Sequence, residues 1–400
     1  MPIQDSDYFL IDDNGVTKKI RADNLRSGFS SYHSDKKLLV NLSDQVTSKF
    51  VYAGDITNKV NGNHWMLINR GNTTSYKVSG DKVVEYLSPY KRISYTADGN
   101  PQTINSMNLT TGESMLWFHH EVGTISGMID TVRGNTSFLD FANGGKNETH
   151  SDLISFGADS FTLGVNSGVG LYDAENLNRA GKDYKVWQFK STPGFFDIVE
   201  YTGTGSARTL SHSLGVAPEM IMIQAYSDNS GQITDSAWTI YHRGAQQQPG
   251  NSTDRALFSN GQQRVVADYF NGYVPTANDF QVGGNTVVNT GINNTKYIAY
   301  LFADEPSQGI KCGSYSGDGG NQKEIHVGFK PEAVLVKLYS GTGFESSSHW
   351  IAFDRTNNEV LKASDSGKLT DGEFVVTDTG FNAVGNSNLS NSHYVYLAVR

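Results

Sequence analysis

The chain has 400 residues, more than one hydrophobic core can serve, so three or more structural units are expected. It holds 42 Gly, 20 Tyr and 20 Phe but only 9 Pro, with 18% charged residues and a net charge of −9. That balance excludes a disordered chain, which would carry fewer aromatics and more charge, and it argues against a general nucleic-acid binder, which needs a basic face.

The single cysteine, Cys312, has no internal disulfide partner, which fits folding in a reducing cytoplasm. The opening MPIQDSDYFLIDDNG has no basic segment before an apolar one, so no signal peptide is expected. No window reaches the roughly 18 apolar residues of a membrane span, so no membrane insertion is expected.

Near the start, Tyr8 to Leu25 (YFLIDDNGVTKKIRADNL) matches Trp65 to Val83 (WMLINRGNTTSYKVSGDKV). In each, two runs around a Gly-containing polar turn predict a hairpin, and Asp23 and Asp81 stand where helix N-caps belong. Two hairpin-plus-short-helix modules are therefore expected, at 8–28 and 65–87, each too small to be stable alone. Between them, LLVNLSDQVTSKFVYAGDI reads as a pair of strands or a pair of helices.

After residue 90 one unit recurs three times. The copies open at Tyr95 (YTADG), Tyr201 (YTGTG) and Tyr315 (YSGDG). Glu113, Glu219 and Glu332 then lead the apolar runs SMLWFHH, MIMIQ and AVLVK. Runs ending near Arg133, Arg243 and Arg355 follow, then strands centred on Phe161, Phe280 and Phe374. DYKVWQF, KYIAYLF and HYVYLAV close the copies. Tyr184 to Phe189 alternates between two faces, while Tyr297 to Phe302 is apolar on both, as in a covered strand. The expected fold is all-β: three tandem antiparallel β-sandwich repeats (91–192, 193–305, 306–400) after an N-terminal docking region (1–90). Pro and Gly in Ser191-Thr192-Pro193-Gly194 and Asp304-Glu305-Pro306-Ser307 mark the boundaries.

These motifs resemble a family of tailed-bacteriophage virion proteins of the marine and cyanophage type. DSDYFLIDDNG-TKKIRADNL and LINRG-TSYKVSGDKV are similar to modules that begin such tail proteins. MLWFHH through DTVRG, SFGADSFTLG, YKVWQF, GFFDIVEYTGTG and LSHSLGVAPEMIMI resemble their repeated distal domain. The resemblance implies a tail fibre or tail-associated protein, made in the host cytoplasm, with its N-terminus at the particle and its repeats outward. The third copy departs from it, with FDRTNN in place of the DTVRG pattern.

Catalytic patterns are missing from the sequence. No His-Glu-x-x-His, Cys-x-x-Cys or phosphate-binding Gly-x-x-x-x-Gly-Lys motif occurs, so no metal and no cofactor is expected. His119 and His120, as strand neighbours, point to opposite faces. Gly313-Ser-Tyr-Ser-Gly317 centres on Tyr315, where a nucleophile elbow needs serine. A glycosidase would carry a unique carboxylate pair, whereas Glu113, Glu219 and Glu332 recur, which reads as structural. Arg133, Arg243 and Arg355 read as ties between strands or loops. Trp117, Trp187, Trp238 and Trp350 read as core. Host-ligand contacts are expected on loops, at Gln246, Gln247, Gln248, Asn386, Asn388 and Asn391. Tail docking is expected at Tyr8, Phe9, Trp65 and Met66.

The expected function is therefore non-enzymatic: a virion structural protein, oligomeric with a trimer favoured, bound to other tail proteins and contacting host polysaccharide. A capsid decoration protein and a carbohydrate depolymerase are the alternatives.

Overall fold

A computed structural model describes residues 88–400 apart from 107–108, 111, 121–125, 142–146, 150–153, 166–176, 228–237, 247–254, 260–262, 266–267, 342–349, 355–358, 363–367 and 370–373, and within 1–87 the backbone of six strands. The chain divides into two compact units, Met1–Pro89 and Tyr90–Arg400.

In the first unit the hairpins Tyr8–Asp13/Val16–Arg21 and His64–Arg70/Thr74–Ser79 flank strand Lys36–Leu42, which also pairs with Ser48–Tyr52. The intervening segment is thus a strand pair, which settles the alternative its pattern leaves open. Asp23 and Asp81, the expected caps, lie outside the described residues.

In the second unit the fold is all-β and antiparallel, and one strand order occurs three times. Each copy has a six-stranded sheet. Its opening strand (Tyr90–Thr96, Phe196–Thr202 or Ile310–Ser316) lies beside its closing strand (Asp183–Lys190, Lys296–Phe302 or Ser392–Val399). The closing strand pairs with an inner strand (Ser114–His120, Met220–Ser227 or Ala333–Gly341). Then come a return strand (Ser126–Asp130, Thr239–His242 or Ile351–Asp354) and an outer strand (Gly134–Asp140, Arg255–Phe258 or Glu359–Lys362). A small sheet covers one face; its matched pairs are Gln102–Asn105 with Ser160–Leu163, Arg208–Ser211 with Asp279–Val282, and Lys323–His326 with Gly380–Ala383.

Register corrects the sequence alignment at three landmarks. Met115 faces Phe189 as Met220 faces Phe302, so Ser114, not Glu113, occupies the position of Glu219. Met115 faces Asp130 and Met220 faces His242, so Asp130 matches His242 and Arg133 falls beyond the place of Arg243. Phe161 faces Ile104, Phe280 faces Leu210 and Phe381 faces Ile325, so the third central Phe is Phe381, not Phe374.

The two faces of the large sheets have different fates. Alternation sends Leu116, Phe118, Val186 and Tyr184 toward the small sheet of the first copy, around Phe161. The corresponding cluster of the third copy holds Val334, Val336, Tyr394 and Phe381. The opposite faces of all three large sheets meet in one shared core, with Met115, Trp117 and Trp187 from the first copy, Met222, Trp238 and Tyr300 from the second, and Leu335, Trp350 and Leu397 from the third. The sequence reading takes the copies as separate sandwiches running outward; the structure fuses them side by side.

Candidate functional site

Two features recur in the second unit and use most of its distinctive residues: a clasp within each copy and a junction between copies.

The clasp begins with the tyrosine that opens each copy, which sits opposite the first tyrosine of the closing strand. The rings stack at 5.0 Å for Tyr95/Tyr184, 5.1 Å for Tyr201/Tyr297 and 4.9 Å for Tyr315/Tyr394. The opening hydroxyl donates to the loop before the closing strand, at the carbonyls of Leu177 (2.7 Å), Val288 (2.5 Å) and Ser387 (2.8 Å). Burial first, and the neighbouring tyrosine second, hold Tyr95 and Tyr201 well above the ordinary phenol range, so they stay protonated donors.

A buried asparagine completes each clasp, at Asn178, Asn289 and Asn388, exposed by 0%, 0% and 1%. Asn289 donates to the carbonyls of Ser206 and Gly283, both at 2.7 Å, and accepts the Thr204 N–H at 2.8 Å. Asn178 donates to the carbonyls of Asn100 and Gly164, and Asn388 to Asp318 and the Gly320 carbonyl. The fifth residue of each opening motif, Gly99, Gly205 or Gly319, has φ of +80°, +75° or +72°, the left-handed region that makes glycine the economical choice.

At the junctions the same positions touch. The Trp238 Nε1–H donates to the Asp140 carbonyl of the preceding copy (3.1 Å), and the Trp350 Nε1–H to the Phe258 carbonyl (3.3 Å). Trp238 stacks on Tyr300 at 5.5 Å. The register counterpart of these tryptophans in the first copy is Ser126, whose Oγ accepts from Trp117 Nε1 (2.9 Å) within that copy. The linkers match as well, with bridges Thr192↔Phe196 and Glu305↔Ile310.

Polar groups lock both junctions. Asp130, fully buried, holds the Arg133 guanidinium, and the Tyr300 hydroxyl accepts from Arg133 (3.1 Å) while donating to Asp130 (2.7 Å). Arg133 thus ties two copies together. At the second junction, Glu219 pairs with Arg243 (3.0 Å) and Asp304 with Lys311 (2.8 Å). Burial outweighs Arg243 and pushes Glu219 up to about 7. His242 accepts the Gly244 N–H at Nδ1 (3.1 Å) and bonds the Tyr396 carbonyl through Nε2 (3.3 Å), and burial pulls it down to about 4.

A groove of about 530 Å³ opens beside the first junction, lined by Glu113, Asp197, Glu200 and His212 among others. Burial, then Asp197 and Asp130, raise Glu113. Both Asp197 oxygens are already engaged, Oδ1 by the Ser191 hydroxyl (2.9 Å) and Oδ2 by the Ser213 N–H (2.7 Å) and hydroxyl (2.9 Å). This carboxylate thus anchors a linker, with three of its roughly four acceptor sites in use.

The expected contact residues scatter. Asn388 is a clasp residue and not a surface group. Gln246 is turned inward, donating to the Arg255 carbonyl (2.6 Å) and accepting the Arg255 N–H (2.9 Å), so neither is placed as a ligand contact. Asn386 and Asn391 are exposed, Asn391 with φ of +54°. Gln247, Gln248 and Arg355 lie outside the described residues. Tyr8 and Phe9 face Arg21 and Ile20, and Trp65 and Met66 face Ser79 and Val78; only the backbone of these strands is described. Trp117, Trp187, Trp238 and Trp350 are 2%, 5%, 0% and 0% exposed, as core residues are. Of the buried asparagines the sequence reading names only Asn388, and as a surface contact; their one signal is an Asn a few residues before each closing tyrosine.

The second unit is thus an all-β protein of three fused copies whose recurrent polar residues hold loops and junctions. The chain belongs to the family described as "Domain of unknown function (DUF7483)", whose model matches residues 86–399. No curated protein matches it. Among solved structures, the crystal structure of the major capsid protein P2 from Bacteriophage PM2 is similar at 9% identity and a TM-score of 0.16, covering 51% of this chain and 98% of that one. Among the described residues no helix is long and apolar enough to cross a membrane, and no group of His, Cys, Asp and Glu could hold a metal ion.

Proposed function

We propose that this chain is a non-enzymatic structural protein of a phage particle, a tail fibre or tail-associated component. It attaches through its N-terminal unit and contacts the host surface through the three-copy unit. The observation that carries this reading is where the recurrent polar side chains go. Asn178, Asn289 and Asn388, the paired tyrosines and Asp197 all bond the chain itself, as a scaffold requires. The sequence resemblance supplies the setting. Side-by-side copies suit a blunt terminal body better than a shaft. Oligomerisation, a trimer above all, belongs to this reading, with tail docking through the N-terminal unit.

Gold-labelled antibodies against the chain, viewed on purified particles, test the location. Label at the tail is expected. Label on the head would replace this reading with a decoration protein, and chain missing from the particles would remove it. Release of reducing ends from host polysaccharide by the purified chain would revive the depolymerase.

A further inference from the structure

Exposed asparagines in this unit differ in the residue that follows them, and that difference decides their chemistry. The backbone nitrogen after an asparagine can attack the carboxamide carbon, because N, C, Cα, Cβ and Cγ close a five-membered ring. The attack needs a nitrogen that has no hydrogen bond to give up and no side chain in the way. Glycine alone lacks the Cβ that crowds this approach.

Among the described residues, Asn271-Gly272 meets these needs. Asn14, Asn61, Asn143 and Asn260 also precede glycine and lie outside the described residues. Asn271 and Gly272 are both exposed, with φ of +54° and +62°, and the Tyr273 N–H closes the turn on the Phe270 carbonyl (2.9 Å). This is the two-residue left-handed turn that Asn-Gly favours. The closing bond uses Tyr273, and the Gly272 N–H donates to no acceptor among the described residues. The Asn271 carboxamide is held by one exposed bond, from Nδ2 to Gln281 Oε1 (3.1 Å).

The other exposed, left-handed asparagines are guarded. Asn293 precedes Asn294, and Asn391 precedes buried Ser392, each with a Cβ. After Asn294 comes Thr295, whose N–H is spent on the Ile292 carbonyl (3.2 Å). The clasp asparagines are buried with their amides engaged.

We propose that Asn271 is a self-modification site, converted in the folded protein to aspartate and isoaspartate through a cyclic imide. The Gly272 nitrogen bonds Asn271 Cγ, the Cγ–Nδ2 bond breaks, and ammonia leaves with the proton from the Gly272 nitrogen. Water then opens the ring. Cleavage between the nitrogen and Cγ gives aspartate, and cleavage between the nitrogen and the Asn271 carbonyl carbon gives isoaspartate.

The two products act differently on this turn. Aspartate keeps the backbone, and Gln281 can turn its amide to meet it. The Thr209 hydroxyl that accepts from Gln281 Nε2 (3.1 Å) then donates to Oε1 instead. Isoaspartate inserts a methylene into a turn only two residues long and breaks the bond from Tyr273 to Phe270. Buried rings stand directly behind it. Phe270 lies edge-on to Tyr241 at 5.3 Å and Tyr269 to Phe258 at 5.8 Å, all four in the shared core. Isoaspartate therefore loosens the second copy.

The test holds the full purified chain at mildly alkaline pH, native and in urea. Digests are read by mass spectrometry with electron-transfer fragmentation, which separates the two acids. In the native chain Asn271 is expected to gain about 1 Da, the exchange of an amino group for a hydroxyl, before Asn293, Asn294 or Asn391 does. Hydrogen exchange is expected to show protection over Tyr269–Asp279 falling as isoaspartate accumulates. Asn271→Gly keeps the left-handed turn and should lose no protection on ageing, and Asn271→Asp should stay as protected as the fresh parent. Conversion of Asn271 in urea but not in the native chain overturns the proposal. So does earlier conversion of Asn293, Asn294 or Asn391, isoaspartate without loss of protection, or an equal loss in aged Asn271→Gly.

Discussion

At the residue scale, the asparagine clasp and the junction histidine make separable predictions. Asn289 fills three hydrogen bonds that water cannot reach. Asn289→Ala leaves those backbone groups unpaired and is expected to cost about 2–4 kcal/mol, whereas exposed Asn391→Gly should cost under about 0.5 kcal/mol. Urea unfolding of both variants checks the contrast; equal losses would mean that the clasp adds nothing special. His242 carries a pH signature. Its folded value of about 4 lies below the ordinary 6.5, so between these values the unfolded chain takes up a proton that the folded chain refuses. Its contribution is whole above about pH 6.5 and is lost as pH falls through about 4, some 3 kcal/mol in all. Glu219 runs the opposite way: raised to about 7 from 4.5, it favours the fold below pH 4.5 and loses that contribution as pH rises through 7. Comparing stability at pH 7.5 and pH 4.5, His242→Gln should shift the balance toward acid and Glu219→Gln away from it. An unchanged difference in either variant would refute the assignment. The sequence shows the tyrosines of this site because an opening motif is conspicuous. It hides the asparagines because Asn is common in this chain and only burial sets three of them apart.

At the element scale, the return strands decide which copy follows which. Trp238 and Trp350 sit fully buried against the preceding copy, and Ser126 stands in the matched place of the copy that has none before it. A terminal repeat with a modified docking position is what a tandem array requires. Trp238→Ala and Trp350→Ala should each cost about 3–5 kcal/mol by cavity and lost bond, and Ser126→Trp about 1–3 kcal/mol by overpacking beside Trp117. Differential scanning fluorimetry of the three variants reads this directly; a Ser126→Trp variant as stable as the parent would show that the first copy has an open socket. Gly127, next in that strand, leaves no freedom, since a Cβ there would stand 2.4 Å from the Phe138 ring. Strand type and period were legible in sequence because alternation and aromatic runs report burial directly. Register was not: one extra residue before Met115 displaces Glu113, and local similarity of short runs conceals a shift that only cross-strand pairing exposes.

At the scale of the whole unit, the question is whether three copies behave as three domains or as one. The large-sheet faces opposite the small sheets all empty into the shared core, so each copy loses part of its buried surface when a neighbour unfolds, while the first and third keep the clusters around Phe161 and Phe381. Removing the second copy would expose Trp187 and Phe189 on one side and Leu335 and Trp350 on the other. Junction bonds add to this coupling, since breaking Tyr300 from Asp130 leaves a fully buried carboxylate and guanidinium short of a partner. Neighbour terms of this kind couple the copies, and a coupled array is expected to melt together. Residues Tyr90–Arg400 are therefore expected to give one calorimetric transition whose measured enthalpy equals its van't Hoff enthalpy, within the full chain. Trp238→Ala, which weakens one junction, should lower that transition before it splits it. Three resolved transitions in the parent protein, each matching the size of one copy, would show that the copies fold independently and that the shared core is only a contact between finished domains.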